Sequence, residues 1–500
     1  MLHYLYIPAI KINIKMAKES SYFNPELSLS REEMLEYGYK VVDMIVDHFD
    51  TLKDLKPVSR ATRKEMDERL AESIPQKGDS PDNVLRFVEE NVLPFTDHTT
   101  HPDFYAFVPS PNNFISSMTD VIATAFNIFT GGWIASPGGA EVEIVTVNWL
   151  LELVGFPVKE GGGVFTSGGS MANLTGLTTA RKIKCDEDFE EAILYMSTQT
   201  HSSNVRAAKI LGFKEDQIKF IPVDDKFRMD VNALKNQIKK DKKNGKNPFC
   251  ILATAGTTNT GAIDPFVELH EVCEEEHMWL HIDGAYGGAA IICEKGKEVL
   301  KGMELADSIT IDPHKWMFQP YEIGCILVKD HRHLYGTFSE NPEYLRDIKG
   351  NADEINFYDH GVQLTRRCRG LKLYMSLKTF GLDSFSAAVG HGIELSEQLE
   401  NYLSQNPDWE ILSKASLAII TFRYHPHKIR MNRVELDNLN QYISNSLIRS
   451  QEAMIVTTVI NGFVSLRMCT INPRTTFIDV KRVIDLMASY AVNYLKDYPG

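Results

Sequence analysis

Ser308-Ile309-Thr310-Ile311-Asp312-Pro313-His314-Lys315-Trp316 opens as a β-branched run and turns at once into a proline, a histidine and a lysine among bulky neighbours. Such a run, ended by proline, reads as a short strand with a sharp stop. Further runs of the same kind lie at Ile193 to Met196, Ile218 to Val223, Phe249 to Thr254, Trp279 to Ile282 and Cys325 to Val328, with helical stretches between them from about Asp120 to Phe380. This alternation predicts the α/β class, with a mainly parallel central sheet wrapped by helices. Ligands of open parallel sheets bind beyond the carboxyl ends of the strands, so the residues that follow each strand are where chemistry is expected.

Outward from this centre the pattern changes on both sides. Met34, Tyr37, Val41, Met44, Ile45 and Phe49 recur at helical spacing after a capping box of Ser30 and Glu33, which predicts an N-terminal helical arm over 25–110. A large cofactor-binding domain is expected over 111–388. Over 389–500 a long helix (His391 to Leu403), strands at Leu417 to Tyr424 and Val464 to Met468, and a closing helix from Phe477 predict a small C-terminal α+β domain. Residues 1–24 read as a disordered extension or an upstream mis-called start, since Pro8 and Lys11 interrupt the apolar stretch Met1 to Ile14 and no small-residue cleavage site follows.

The 500 residues carry 67 acidic against 53 basic side chains, a formal charge of -14, which argues against nucleic acid or an anionic membrane as partner. No apolar run approaches the roughly 20 residues of a membrane span. Seven scattered cysteines without a CxxC pair suggest neither disulfides nor a zinc ribbon, and point to a reducing cytoplasm. No metal site is expected: Glu274 stands where an HExxH motif starting at His270 needs its second histidine. No GxSxG elbow supports a serine hydrolase.

Four strand ends carry unusual residues. Lys315 follows the quoted strand; a half-buried lysine condenses with an aldehyde, as a Schiff-base cofactor requires, or else merely snorkels at a sheet edge. Met278-Trp279-Leu280-His281-Ile282-Asp283-Gly284-Ala285-Tyr286-Gly287-Gly288-Ala289 ends in a carboxylate suited to a pyridinium nitrogen, followed by small residues such as Ala285 against which a flat ring can lie. A strand-terminal aspartate equally often caps a turn. Gly161-Gly162-Gly163-Val164-Phe165-Thr166-Ser167-Gly168-Gly169-Ser170-Met171-Ala172-Asn173 places glycines and hydroxyls before a helix, a phosphate cradle or a plain capped turn. Its spacing matches neither a Walker loop nor a dinucleotide fingerprint. Tyr195-Met196-Ser197-Thr198-Gln199-Thr200-His201-Ser202-Ser203 offers His201 for stacking on a planar cofactor or for proton transfer, against the commoner structural role of a lone histidine.

Taken in order, phosphate loop, histidine, aspartate and lysine resemble the group II pyridoxal-phosphate-dependent decarboxylases. The resemblance rests on His201-Ser202-Ser203, Gly256-Thr257-Thr258, His281-Ile282-Asp283-Gly284-Ala285-Tyr286 and Pro313-His314-Lys315-Trp316, and spans from about Pro25 to near the C-terminus. Within that family the chain resembles bacterial aromatic-L-amino-acid decarboxylases of the tryptophan and phenylalanine type. It implies the fold type I architecture of pyridoxal-phosphate-dependent transferases, a homodimer with shared active sites, and pyridoxal 5'-phosphate held as a Schiff base by Lys315. Asp283 then pairs with the pyridinium, His201 stacks on the ring, Thr258 lies near the ring oxygen, and Ser110, Gly169, Ser170 and His314 surround the phosphate. Asp312 departs from the pattern, standing where animal relatives have asparagine near the phosphate. Two anions repel there, so Asp312 faces away, carries a proton, or reaches the phosphate through a water.

Asn341-Pro342-Glu343-Tyr344-Leu345-Arg346, within 338–360, resembles the family's mobile catalytic loop, in which Tyr344 supplies the proton that replaces carbon dioxide. Phe129-Thr130-Gly131-Gly132-Trp133-Ile134-Ala135-Ser136-Pro137 resembles the stretch that lines the neighbouring subunit's side-chain pocket. Gly131 replaces a phenylalanine of animal relatives, which is expected to enlarge that pocket, while Thr365 narrows the wall where plant relatives carry glycine or serine. With Phe107, Phe129 and Trp133, these residues imply an aromatic substrate: tryptophan, phenylalanine, tyrosine, 3,4-dihydroxyphenylalanine or 5-hydroxytryptophan, converted to the amine and carbon dioxide in trace-amine biosynthesis. The alternatives are an acidic substrate, glutamate or cysteine sulfinate, and a non-catalytic binding protein on the same fold.

Overall fold

The computed structural model describes residues 27–186, 188–340 and 354–496. Strands β1 (Gly162–Thr166), β2 (Ala192–Ser197), β3 (Ile218–Ile221), β4 (Asn247–Thr254), β5 (Trp279–Asp283), β6 (Ser308–Ile311) and β7 (Gly324–Val328) form one sheet in the order β1-β7-β6-β5-β4-β2-β3. Strands β2 to β6 pair in parallel, whereas β7 is antiparallel to both β1 and β6. Every residue of β2, β5, β6 and β7 is buried, because helices cover both faces of the sheet. That is why these strands read as short apolar or β-branched runs without a polar face. Strand β1 lies within the glycine-rich stretch, ahead of the helix start.

A second, antiparallel sheet holds β8 (Trp409–Ser416), β9 (Ile419–Tyr424), β10 (Val456–Ile460) and β11 (Phe463–Cys469) in the order β10-β11-β9-β8. Helices Arg433–Ser450 and Phe477–Lys496 pack with it around a separate apolar core that includes Phe422, Leu439, Leu466 and Ile484. The helical segment Gly370–Ser404 joins the two units, with a break at Gly381 (φ 74°), so the boundary expected near residue 388 falls inside an element. At the other end, Ser30 and Glu33 form the expected capping box and start helix Arg31–Asp50, none of whose residues is buried. Its Met34, Tyr39 and Val46 are exposed. The extension 1–24 lies outside the described residues.

One buried ion pair pins the sheet edge that carries the glycine-rich stretch. Glu143, on helix Pro137–Val154, accepts a hydrogen bond from the Phe165 N–H at 3.0 Å and from the Arg366 guanidinium. Arg366 also donates to the carbonyls of Phe165 (2.8 Å) and Thr130 (3.1 Å). Removing one partner strands a buried charge, so Glu143→Ala is expected to lower unfolding free energy by about 3–5 kcal/mol in denaturant titration. The double variant Glu143→Leu/Arg366→Met, which removes both charges, is expected to recover much of that loss.

Candidate active site

The carboxyl ends of β2, β4, β5 and β6 and the start of helix Gly169–Cys185 converge on a cavity of about 520 Å³. It is lined by Phe107, Gly169, Ser170, His201, Thr258, Asp283, Ala285, Asp312, His314 and Lys315, ten of the residues singled out from sequence. Parallel pairing explains the convergence, since strands that run the same way end on the same edge.

Asp283, the last residue of β5, is 5% exposed and already saturated on one side. Its Oδ2 accepts from the amides of Asn173 (Nδ2, 3.0 Å) and Asn204 (Nδ2, 2.6 Å), and its Oδ1 from the Ala285 N–H at 3.1 Å. Oδ1 thus has only one partner, and is the oxygen free for a ligand cation. His201 caps helix Ser202–Ile210: its Nδ1 accepts the Ser203 N–H at 3.2 Å and lies 2.8 Å from Ser203 Oγ. An accepting Nδ1 puts the ring proton on Nε2. Burial pushes the His201 pKa below its ordinary value, with Asp283 opposing, so the ring is neutral near pH 7.

Lys315 Nζ lies 3.1 Å from Asp312 Oδ2, with a quarter of the lysine side chain exposed. Asp312 is 1% exposed; its Oδ1 has no hydrogen-bond partner, and its Oδ2 is also 3.7 Å from His314 Nε2. The carboxylate lines the cavity as the lysine's counter-ion. His314 turns its Nδ1 to the Ile323 carbonyl at 2.6 Å, and burial lowers its pKa. Gly169 is glycine for want of space, since a Cβ there would lie 2.7 Å from Asp312 Oδ2 and 2.9 Å from the Ala285 methyl. The helix start therefore sits directly against the small residues after β5.

Five of the expected residues stand elsewhere. Ser110 is buried behind the wall and donates its hydroxyl to the His314 carbonyl at 2.5 Å, so it does not line the cavity. Phe129, Gly131, Trp133 and Thr365 do not line it either. At Gly131 a Cβ would lie 2.2 Å from Phe129 Cζ and 2.7 Å from the Leu364 carbonyl, so within this chain the Phe129 ring packs directly against the glycine. Tyr344 lies outside the described residues. Conversely, Asn173, Asn204, Tyr286 and Tyr321 were not singled out, although Asn173 and Asn204 clamp Asp283, and Tyr286 and Tyr321 line the cavity. Asn204 follows His201 by one helical turn, the only signal that placed it nearby.

The site fits pyridoxal phosphate on its own donors and acceptors. An amine, a clamped carboxylate with one under-used oxygen, a histidine and a helix start share one cavity of ligand size.

Comparison with known proteins agrees. The family model described as the pyridoxal-dependent decarboxylase conserved domain matches residues 64–425. An aromatic-L-amino-acid decarboxylase of Bacillus atrophaeus is 45% identical over 475 residues, covering 95% of this chain and 98% of that protein. A phenylacetaldehyde synthase of Arabidopsis thaliana is 28% identical, covering 93% of this chain and 98% of its own. The crystal structure of Oryza sativa TDC with PLP and tryptamine superposes with a TM-score of 0.89 at 26% identity, covering 95% of this chain and all of the other.

Proposed function

This chain belongs to the pyridoxal-dependent decarboxylase family, and on that premise we propose that it converts aromatic L-amino acids to their amines and carbon dioxide. The observation that carries the reading is the convergence of Lys315, Asp283, His201 and the Gly169-Ser170 helix start on one cavity. Bound there, pyridoxal phosphate supplies an electron-withdrawing ring conjugated to the substrate's α-carbon. Lys315 anchors it, Asp283 holds its ring nitrogen through Oδ1, and the amides before Met171 hold its phosphate. Thr258, also lining the cavity, would stand near the ring oxygen. His201, lining the cavity with its proton on Nε2, would stack on the ring and offer Nε2–H to the reacting groups. Tyr344 delivers the proton that replaces carbon dioxide at the α-carbon.

An aromatic rather than an acidic side chain is supported by Phe107 and Tyr321, each 58% exposed at the cavity. Among the described residues lining it there is no arginine to receive a second substrate carboxylate. The 45% identity to an aromatic-amino-acid decarboxylase supports the same choice. A panel of tryptophan, phenylalanine, tyrosine and 3,4-dihydroxyphenylalanine beside glutamate and cysteine sulfinate, with amine detection, tests it. Amine from at least one aromatic substrate is expected; amine from the acidic pair alone would overturn the assignment.

The similarity to an aldehyde synthase gives Tyr344 its own test. Tyr344→Phe is expected to divert part of the product to aldehyde, with dioxygen consumed and ammonia and hydrogen peroxide released. Unchanged amine yield with no peroxide would remove Tyr344 from the mechanism. The working form is a cytoplasmic homodimer. Unpaired Cys185, Cys250, Cys273, Cys293, Cys325, Cys368 and Cys469 support a reducing compartment. Exposed Met34, Tyr39, Phe126 and Ile134, and the position of Phe129, Gly131, Trp133 and Thr365 away from their own cavity, support a second copy that receives them. A single-chain mass in sedimentation velocity would count against it.

A further inference from the structure

From Asp283 inward, through Asn173 at the cavity wall, five polar side chains form an unbroken buried line. Trp279 Nε1 lies 2.8 Å from Ser308 Oγ, Ser308 Oγ lies 2.8 Å from His281 Nδ1, His281 Nε2 lies 3.0 Å from Asn173 Oδ1, and Asn173 Nδ2 lies 3.0 Å from Asp283 Oδ2. Trp279, Ser308, His281 and Asn173 are each at most 1% exposed. Nothing in the anchoring of a cofactor requires more than the last of them, and buried polar groups are costly unless every one is paired.

The direction of the line follows from its far end. An indole N–H only donates, so Ser308 Oγ accepts it and has its own proton left for His281 Nδ1. With Nδ1 accepting, the imidazole proton sits on Nε2 and is donated to Asn173 Oδ1. The Asn173 amide is then fixed with its oxygen toward His281 and its N–H toward Asp283. Turned over, it would set an amide oxygen against a carboxylate oxygen. Burial pushes the His281 pKa down to about 4, in keeping with a neutral ring. The helix backbone closes directly on the imidazole, since a Cβ at Gly176 would lie 2.7 Å from His281 Cε1 and 2.9 Å from its Nδ1.

We infer that Trp279, Ser308 and His281 form a one-way hydrogen-bond chain that orients Asn173 toward Asp283, which makes His281 a positioning residue for the carboxylate facing the cofactor's ring nitrogen. The inference rests on the placement of that nitrogen on Asp283 given under Proposed function. Aligned donors along the chain reinforce one another and leave Asp283 Oδ1, rather than Oδ2, as the oxygen for the ring. The same amide nitrogen of Asn173 also lies 3.4 Å from Ser203 Oγ, the partner of His201, so one orientation serves both sides of the site.

The test is a ratio of two dissociation constants on the full-length protein, stripped and reloaded either with pyridoxal phosphate or with its 1-deaza analogue, which lacks the ring nitrogen. In the wild type the natural cofactor is expected to bind more tightly. His281→Phe is expected to shrink that preference about tenfold, the worth of one hydrogen bond to a charged group. His281→Gln, whose amide nitrogen can stand in for Nε2, is expected to stay within about threefold of wild type. Ser308→Ala should fall between them, and decides alone if the phenylalanine variant does not fold. A wild-type preference retained in both His281→Phe and Ser308→Ala would overturn the chain, even if both ligands bound more weakly, since packing damage weakens them equally. A wild-type ratio near one would instead overturn the placement of the ring nitrogen on Asp283, and this inference with it.

Discussion

Lys315→Ala is expected to leave a colourless protein whose decarboxylation rate is lower by about 10³ or more, the scale seen when an enzyme loses its covalent nucleophile. Lys315 carries the only amine among the described residues that line the cavity, so no neighbour can take over the anchoring. The same substitution strips Asp312 of its counter-ion. That carboxylate is 1% exposed, and its other oxygen is already without a partner. A stability loss of about 1–3 kcal/mol is expected, smaller than for a fully buried pair because a quarter of the lysine is exposed. The two consequences separate in Lys315→Arg: a guanidinium restores a cation beside Asp312 but does not condense with an aldehyde. Visible absorption and thermal unfolding measured on both variants should show the arginine form regaining stability without colour. Wild-type colour or near-wild-type turnover in either variant would remove Lys315 from its assigned place.

The strands that carry the site were legible because they are short apolar or β-branched runs, buried throughout, that break off at Asp283 and just before Asp312. From such ends a parallel sheet predicts convergence. The glycine-rich edge strand β1 was not legible, because glycine carries no apolar signal. Nor were β8 and β10, whose partly exposed residues blur the alternation. Partners chosen by tertiary packing were invisible for a different reason. Asn173 and Asn204 meet Asp283 across 110 and 79 positions, and Arg366 meets Glu143 across 223. No local pattern marks an asparagine on the inner face of a helix as a clamp. Nor does the sequence around Gly131 reveal that the Phe129 ring packs against it within the chain.

Asp283→Asn should weaken binding of pyridoxal phosphate by about 2–5 kcal/mol, roughly 30-fold or more, the cost of truncating one partner of a buried charge pair. The substitution is isosteric, so packing is preserved and hydrogen-bond arithmetic decides the outcome. The wild-type carboxylate faces only donors: the amides of Asn173 and Asn204 on Oδ2, and the Ala285 N–H on Oδ1. An asparagine must turn its NH₂ to one side or the other. Toward Asn173 and Asn204 it meets two N–H donors; toward Ala285 it meets a backbone N–H and points a donor at the ring nitrogen it should accept from. Either way a buried donor goes unpaired, at about 1–3 kcal/mol, and the negative charge is gone. Asp283→Glu keeps the charge but overshoots the clamp, and should rank between wild type and asparagine. Reconstitution titrations followed by visible absorption give the three constants directly. An asparagine variant that binds pyridoxal phosphate as tightly as wild type would mean that the clamp serves the fold alone, and that the ring nitrogen finds its partner elsewhere.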